Sequence, residues 1–147
     1  MFHEIRLRVR YAETDRMGIA HHSNHVIWWE MGRTALFREI DLPYSWIEAQ
    51  GIACPLVKIW CHYRYPAYYD DELIVKTAIA EASPVKIRFA YEIAKSASGQ
   101  EVASGETLQA FVSLDTGRPL RLNKSHPHIW EKLKNNGKSY FVDGHKP

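Results

Sequence analysis

The stretch Ser23–Ile40, SNHVIWWEMGRTALFREI, decides how this chain folds. Ser23 and Asn24 are good helix N-caps, and Asp41, Leu42 and Pro43 stop the pattern, so the stretch predicts one long helix. At about 100° per residue, Val26, Ile27, Trp28, Trp29, Met31, Ala35, Leu36, Phe37 and Ile40 occupy every quadrant of its surface. A surface helix shows one apolar stripe, whereas a helix apolar all round has to be wrapped by other structure.

The flanking sequence supplies the wrapping. Glu4 to Ala12 reads as a strand, with Ile5, Leu7, Val9 and Tyr11 alternating with Arg6, Arg8 and Arg10. Glu13 to His22 has neither period and reads as a loop. After a short helical turn within Pro43 to Gly51, four segments favour strand: Cys54–Tyr65, Leu73–Glu81, Val85–Ala94 and Val102–Leu114. Turn residues separate them at Pro66 to Asp71, Ser83-Pro84, Ser96 to Gln100 and Asp115 to Pro119. Ser125 to Lys134 reads as a short amphipathic helix. One strand, one helix and four strands able to pair as an antiparallel meander predict an α+β protein. The simplest arrangement is a five-stranded antiparallel sheet curled around the long helix, the hot-dog fold. Such a sheet keeps an exposed edge, so a homodimer or homotetramer is expected. One domain should span 1–135, followed by a loosely ordered polar tail over 136–147.

Composition agrees with one globular domain and excludes several classes. The 147 residues are 46% apolar and 24% charged, and the formal charge is only +2, which gives no pull toward nucleic acid. No run approaches the roughly 20 apolar residues of a membrane span, and the charged N-terminus lacks a signal-peptide core. Cys54 and Cys61 form neither a disulfide framework nor a zinc site, and predict a reduced, cytoplasmic protein. Five Trp, eight Tyr, five Phe and eight His are the unusual numbers, and they suggest a dense core or a large subunit interface.

The densest polar segment, YAETDRMGIAHHSNH over Tyr11–His25, enters the helix. A helix N-terminus presents unpaired N–H groups and partial positive charge, which can hold a carbonyl oxygen as it becomes an oxyanion. A carboxylate facing that carbonyl can attack it or activate water. Asp15 is placed for this, although by spacing alone it reads more readily as a solvated or capping carboxylate. His21, His22 and His25 invite a metal, but there is no HExxH pattern and no Glu where a zinc hydrolase has its base. Glu30 and Arg33, one turn apart, should form a partly buried ion pair.

The segment VRYAETDRMGIAHHSNHVIWWEMGR, Val9 to Arg33, resembles the 4-hydroxybenzoyl-CoA thioesterase family of hot-dog acyl-CoA thioesterases. Tyr11, Thr14, Asp15, Gly18, Ile19, His22, Asn24, Trp29-Glu30 and Arg33 stand at the motif positions, and the likeness runs on through SPVKIRFAYEI and DTGRP, from about Ile5 to Leu133. The resemblance implies hydrolysis of a small or medium acyl-CoA or aroyl-CoA to free acid and coenzyme A, with no metal or organic cofactor. Asp15 would be nucleophile or general base, the backbone N–H of His22 would polarise the thioester carbonyl, and the His22 side chain would position water or the substrate. Gly18, Asn24, His25 and Trp29 would serve the substrate site. The resemblance also implies active sites at a dimer interface. Two positions depart from the pattern: His25 replaces the usual Tyr, and Asn123 replaces a Pro.

Coenzyme A carries phosphates, so basic residues should line its entrance. Lys86 and Arg88, and the group Arg118, Arg121 and Lys124, are the candidates, with Arg16 beside the loop. Two other functions remain open at this stage: a non-catalytic acyl-CoA-binding module, and a thioesterase acting on acyl carrier protein.

Overall fold

A computed structural model describes residues 1–143. In chain order it has β1 (His3–Arg8), a 3-10 turn (Tyr11–Glu13), α1 (Ser23–Glu39), α2 (Tyr44–Ala49), β2 (Ile52–Ala53) and β3 (Leu56–Tyr63). Then come β4 (Glu72–Ala82), β5 (Lys86–Lys95), β6 (Glu101–Ala110), β7 (Val112–Ser113), α3 (Leu122–Ser125), α4 (Pro127–Asn136) and a last 3-10 turn (Lys138–Tyr140). A five-stranded antiparallel sheet holds α1 against one face, which is the hot-dog architecture expected from the sequence.

The sheet order is β1-β4-β5-β6-β3. Only β4, β5 and β6 form a meander. The expectation that all four later strands pair in sequence is corrected, because β3 lies beyond β6 rather than beside β4. The connection over 64–71 explains how. Crossing three strand spacings requires about 14 Å, well within the roughly 26 Å that eight extended residues can reach. That crossover passes beneath the loop before α1, where Ala20 N–H donates to Ala67 O at 2.8 Å and Ile19 bridges Tyr68. The first strand is also shorter than expected. It ends at Arg8 because the chain turns back at Tyr11–Glu13, where the Glu13 carboxylate accepts the Arg10 N–H at 2.8 Å.

Close packing of α1 on the sheet rests on two glycines. A methyl on Gly32 would collide with Thr77 Oγ1, and one on Gly105 would collide with the Trp60 carbonyl and meet the Trp29 ring at 2.6 Å. Trp29 stacks on Tyr91, with ring centroids 4.7 Å apart and planes 9° from parallel. Trp28, Trp29, Leu36 and Phe37 are all buried. The helix is not enclosed on every side, however. Ile27 is 50% and Met31 47% exposed, so the complete wrapping inferred from its apolar surface is not achieved by one chain.

Arg33 also differs from expectation. It forms no ion pair with Glu30 and instead donates to the Tyr91 hydroxyl at 3.0 Å. Because guanidinium can only donate, Tyr91 then donates to Thr107 Oγ1 at 2.8 Å, and Thr107 to Gln109 Oε1 at 3.2 Å. This directed chain satisfies polar groups across β5 and β6 under the helix.

The C-terminal region is seated further than the sequence suggested. Pro127 opens α4 at a position that needs no N–H, which shifts the helix later than Ser125–Lys134. Residues 136–142, expected to begin a loose tail, pack back: Asn136 Nδ2 donates to Ile40 O at 2.9 Å and Val142 N–H to Ile79 O at 3.0 Å. The remainder of that predicted tail, 144–147, lies outside the described residues. No helix among the described residues is long and apolar enough to cross a membrane.

Candidate active site

The loop between β1 and α1 is a tight, internally bonded turn. Asp15 N–H donates to Ile19 O at 2.8 Å and Gly18 N–H to Asp15 O at 3.0 Å. Gly18 takes a φ of +83°, which disfavours any side chain there, so the turn itself requires glycine. Asp15 Oδ1 accepts the Met17 N–H at 2.8 Å. Among the described residues its second oxygen has no partner.

Glu13 fastens this loop to the helix. Its carboxylate is 6% exposed and accepts the Trp28 indole N–H at 2.9 Å, and its backbone carbonyl accepts His21 N–H and Asn24 Nδ2, both at 2.8 Å. Burial works against ionisation of Glu13. The Arg10 N–H, the Trp28 indole and the Arg10 guanidinium outweigh it and lower the pKa below the usual carboxylate value.

The helix start is built differently from a side-chain cap. His22 is the N-cap residue, with helical backbone angles and no capping side chain. Ser23 bonds His21 instead, with its Oγ 2.8 Å from His21 Nδ1. No acceptor among the described residues takes the His22 N–H, which leaves it open at the positive end of a 17-residue helix.

Asp15, His22 and His25 converge on one cavity of about 380 Å³, walled also by Met17, Ile19, Tyr63 and Arg64. That size suits a small-molecule group. Tyr63 donates its hydroxyl hydrogen to His22 O at 2.9 Å. His25 Nδ1 is 3.1 Å from the same oxygen. A carbonyl can only accept, so Nδ1 carries the proton and Nε2 has a free lone pair. Burial, with the charge of the neighbouring His22 ring, lowers the His25 pKa below the usual imidazole value, and hydrogen bonding to the His22 and His21 backbone only partly offsets this. His25 is therefore the neutral imidazole at neutral pH.

Several predicted site residues lie elsewhere. Trp29 is 0% exposed and belongs to the core stack, so its expected role beside the substrate is corrected. Asn24 is buried and bonds Glu13 O and His21 O, so it supports the helix start rather than lining the cavity. Lys86 and Arg88 both pair with Glu81, at 3.6 and 3.1 Å, on the outer face of the sheet. Arg118, Arg121 and Lys124 are exposed and carry no ion pair among the described residues, but they follow β7, beyond the Leu56 end of β3. The cavity lies at the Tyr63 end, about 23 Å away along an eight-residue strand.

Tyr63 and Arg64 also wall the cavity, and no local sequence signal marks them. They sit some forty residues after the loop, in a segment that reads only as a strand and its exit. Tyr63 breaks no local rule, and its role depends on β3 crossing to the far edge of the sheet. Burial pushes the Cys54 thiol up to about 12 and also raises Cys61, which makes neither a thiolate nucleophile. Among the described residues no group of three His, Cys, Asp or Glu side chains could hold a metal ion.

Comparison with known proteins gives a consistent result. Residues 9–133 match the family model of the thioesterase-like superfamily. The Bacillus subtilis protein YneP is 34% identical over 131 residues, covering 87% of this chain and 94% of YneP. The acyl-CoA thioester hydrolase YbgC of Escherichia coli O157:H7 is 29% identical over 87 residues, 59% of this chain and 65% of that protein. The crystal structure of a DHNA-CoA thioesterase from Staphylococcus aureus superposes with a TM-score of 0.87 at 27% identity, covering 98% of this chain and 99% of that one.

Proposed function

This chain belongs to the thioesterase-like superfamily, and from that premise we propose that it hydrolyses a small or medium acyl-CoA or aroyl-CoA to free acid and coenzyme A. It is a thioester hydrolase of hot-dog fold. Within the superfamily the loop motif supports placement with the 4-hydroxybenzoyl-CoA thioesterase group. The observation that carries the reading is the juxtaposition, on one cavity, of the Asp15 carboxylate with the open helix N-terminus at His22. The thioester carbonyl oxygen takes the His22 N–H, which stabilises the negative charge that develops there. Asp15 acts on the carbonyl carbon, as nucleophile or as base for water. The reaction on this reading needs no metal or organic cofactor.

The working form on this reading is a homodimer, or a homotetramer built from it, formed along β3. That strand is a long sheet edge with Leu56, Val57 and Ile59 exposed, and such an edge favours pairing with a second copy. Antiparallel pairing would set the Leu56 end of one copy beside the Tyr63 end of the other. A phosphate patch of Arg118, Arg121 and Lys124 would then reach the cavity from the second copy. The two free thiols, Cys54 and Cys61, support a reducing, cytoplasmic location.

The test is release of free thiol from a panel of acetyl-, hexanoyl-, palmitoyl- and benzoyl-CoA. The wild type should turn over at least one of them, and Asp15→Asn should lower its rate by about 10²-fold or more. An Asp15→Asn variant with full activity would overturn the assigned mechanism.

A further inference from the structure

We propose that His25 is a second catalytic residue: its Nε2 is the base that takes the proton from the hydrolytic water, leaving Asp15 to serve as the nucleophile. The inference rests on the thioesterase reading above and goes beyond it by dividing the labour between two groups.

Four observations on the His25 side chain carry it. The residue is 4% exposed, yet it lines the cavity that holds Asp15 and the His22 N-terminus. Its Nδ1 is committed to His22 O, which sets the tautomer and aims the other nitrogen. Nε2 bonds no described residue, and it is not among the buried polar atoms sealed away without a partner. What exposure the ring has therefore includes Nε2. Lastly, the ring is clamped, with Tyr63 edge-on at 4.8 Å and Trp28 at 5.0 Å between centroids. Such packing preorganises a base.

His22 is the obvious competitor and is poorly suited. Its ring is exposed, lies against His21 at 4.1 Å, and has no hydrogen bond to orient it. The donor on His25 Nδ1 also gives the imidazolium a use: once Nε2 is protonated, the bond from Nδ1 to His22 O becomes charge-assisted.

The chemistry balances in two steps. The free Asp15 oxygen bonds to the acyl carbon, the C–S bond breaks with its electron pair going to sulfur, and the leaving thiolate takes a proton from solvent. Water then adds to the acyl carbon of the resulting anhydride while its proton passes to His25 Nε2. The anhydride C–O bond breaks with its pair returning to Asp15, and the imidazolium gives its proton to solvent.

The groups facing His25 define its pH response. They are His21 and His22 on the preceding turn, Tyr63 from β3 with Cys61 beside it, and Asp15 and Arg64 on the cavity wall. Trp28, backed by Glu13, closes the inner side. Burial favours the neutral base, so the wild-type rate should be flat at neutral pH and fall on an acid limb below about pH 6.5.

The experiment uses the full chain with whichever thioester of the panel the wild type turns over fastest. His25→Gln keeps an N–H able to reach His22 O, and His25→Phe keeps the ring volume. Both should release about one equivalent of thiol per active site and then stall, with steady turnover down about 10²–10⁴-fold. Intact mass should show an acyl adduct that Asp15→Asn removes. The acid limb should be absent from the residual rate. Variants that turn over at the wild-type rate, or that release no thiol and form no adduct, would overturn the proposal, as would a wild-type rate without an acid limb. Wild type that releases thiol from no member of the panel would instead overturn the thioesterase reading itself.

Discussion

The Trp28 indole N–H donates to Glu13 Oε2 across 2.9 Å, and both groups are buried. This bond joins the middle of the second helical turn to the residue two before Asp15. With the Asn24 Nδ2 bond to Glu13 O at 2.8 Å, it ties the loop that carries Asp15 to the helix. Hydrogen bonds to a charged partner contribute about 1.5–3 kcal/mol. Glu13→Gln should therefore lower stability by roughly 1–3 kcal/mol, since Oε1 takes the Arg10 N–H and Oε2 the Trp28 indole, and the amide puts a donor NH2 where one of these acceptors was. Denaturant unfolding checks the stability, and a parallel loss of kcat would show that the loop has come away from the helix.

The same carboxylate gives the fold an acid limit. The pKa of Glu13 is lowered in the folded chain: burial raises it, but the Arg10 N–H, the Trp28 indole and the Arg10 guanidinium together prevail. A depressed carboxylate contributes stability that is fully present above its unfolded value, near 4.5, and is lost as pH falls through the folded value. Urea midpoints should thus hold from pH 7 down to about pH 5 and drop below it. The part of that drop due to Glu13 should be missing in Glu13→Gln, measured over the same pH series.

Tyr63→Phe removes the hydroxyl that donates to His22 O. The ring is 50% exposed, so the fold should lose little. The helix start and the His25 ring lose one of their fixed points. The expected result is a fall in kcat of about 5- to 10-fold, the equivalent of one ordinary hydrogen bond, with KM nearly unchanged. Steady-state kinetics beside a thermal melt separates the two effects.

Gly105→Ala should be severe for a residue with no side chain and no chemistry. The added methyl meets a backbone carbonyl and an indole that is itself stacked on Tyr91. Neither can yield cheaply, so destabilisation of at least about 1–3 kcal/mol is expected from overpacking. Chemical denaturation of the variant tests this, and a cost near zero would mean that Trp29 can leave its stack.

Charge reversal distinguishes the two groups of cations. Lys86 and Arg88 are engaged with Glu81, whereas Arg118, Arg121 and Lys124 are unpaired among the described residues. Converting the last three to Glu should raise KM for a CoA thioester about tenfold or more, an effect that weakens with added salt. Converting Lys86 and Arg88 should change KM much less. Titrating KM against ionic strength for both variants gives the comparison.

Much of the fold was legible because its signals are local. The caps and stop of α1, the alternation in β5 and the turn residues between strands depend only on neighbours in sequence. The pairing order was not legible. An alternating strand looks the same whether it pairs with β4 or with β6, and the choice depends on the reach of the 64–71 connection. Arg33 shows the same limit. Its sequence neighbour Glu30 suggested an ion pair, but the Tyr91 hydroxyl lies nearer once β5 is under the helix.

The sequence by itself determined the loop-helix unit: the carboxylate at Asp15, the glycine that the turn needs, and an open helix N-terminus seven residues on. These are consequences of backbone geometry and residue type within a dozen positions. Only the tertiary structure decided what completes the cavity. Tyr63 and Arg64 arrive there because β3 crosses to the far edge of the sheet, and Trp29 is withheld because Gly105 lets it sink into the core. His25 stands on the boundary between the two. The sequence marks it as a histidine where the family pattern has tyrosine. Its tautomer, its neutral state and its free nitrogen come from a carbonyl, a phenol and an indole that only folding brings around it.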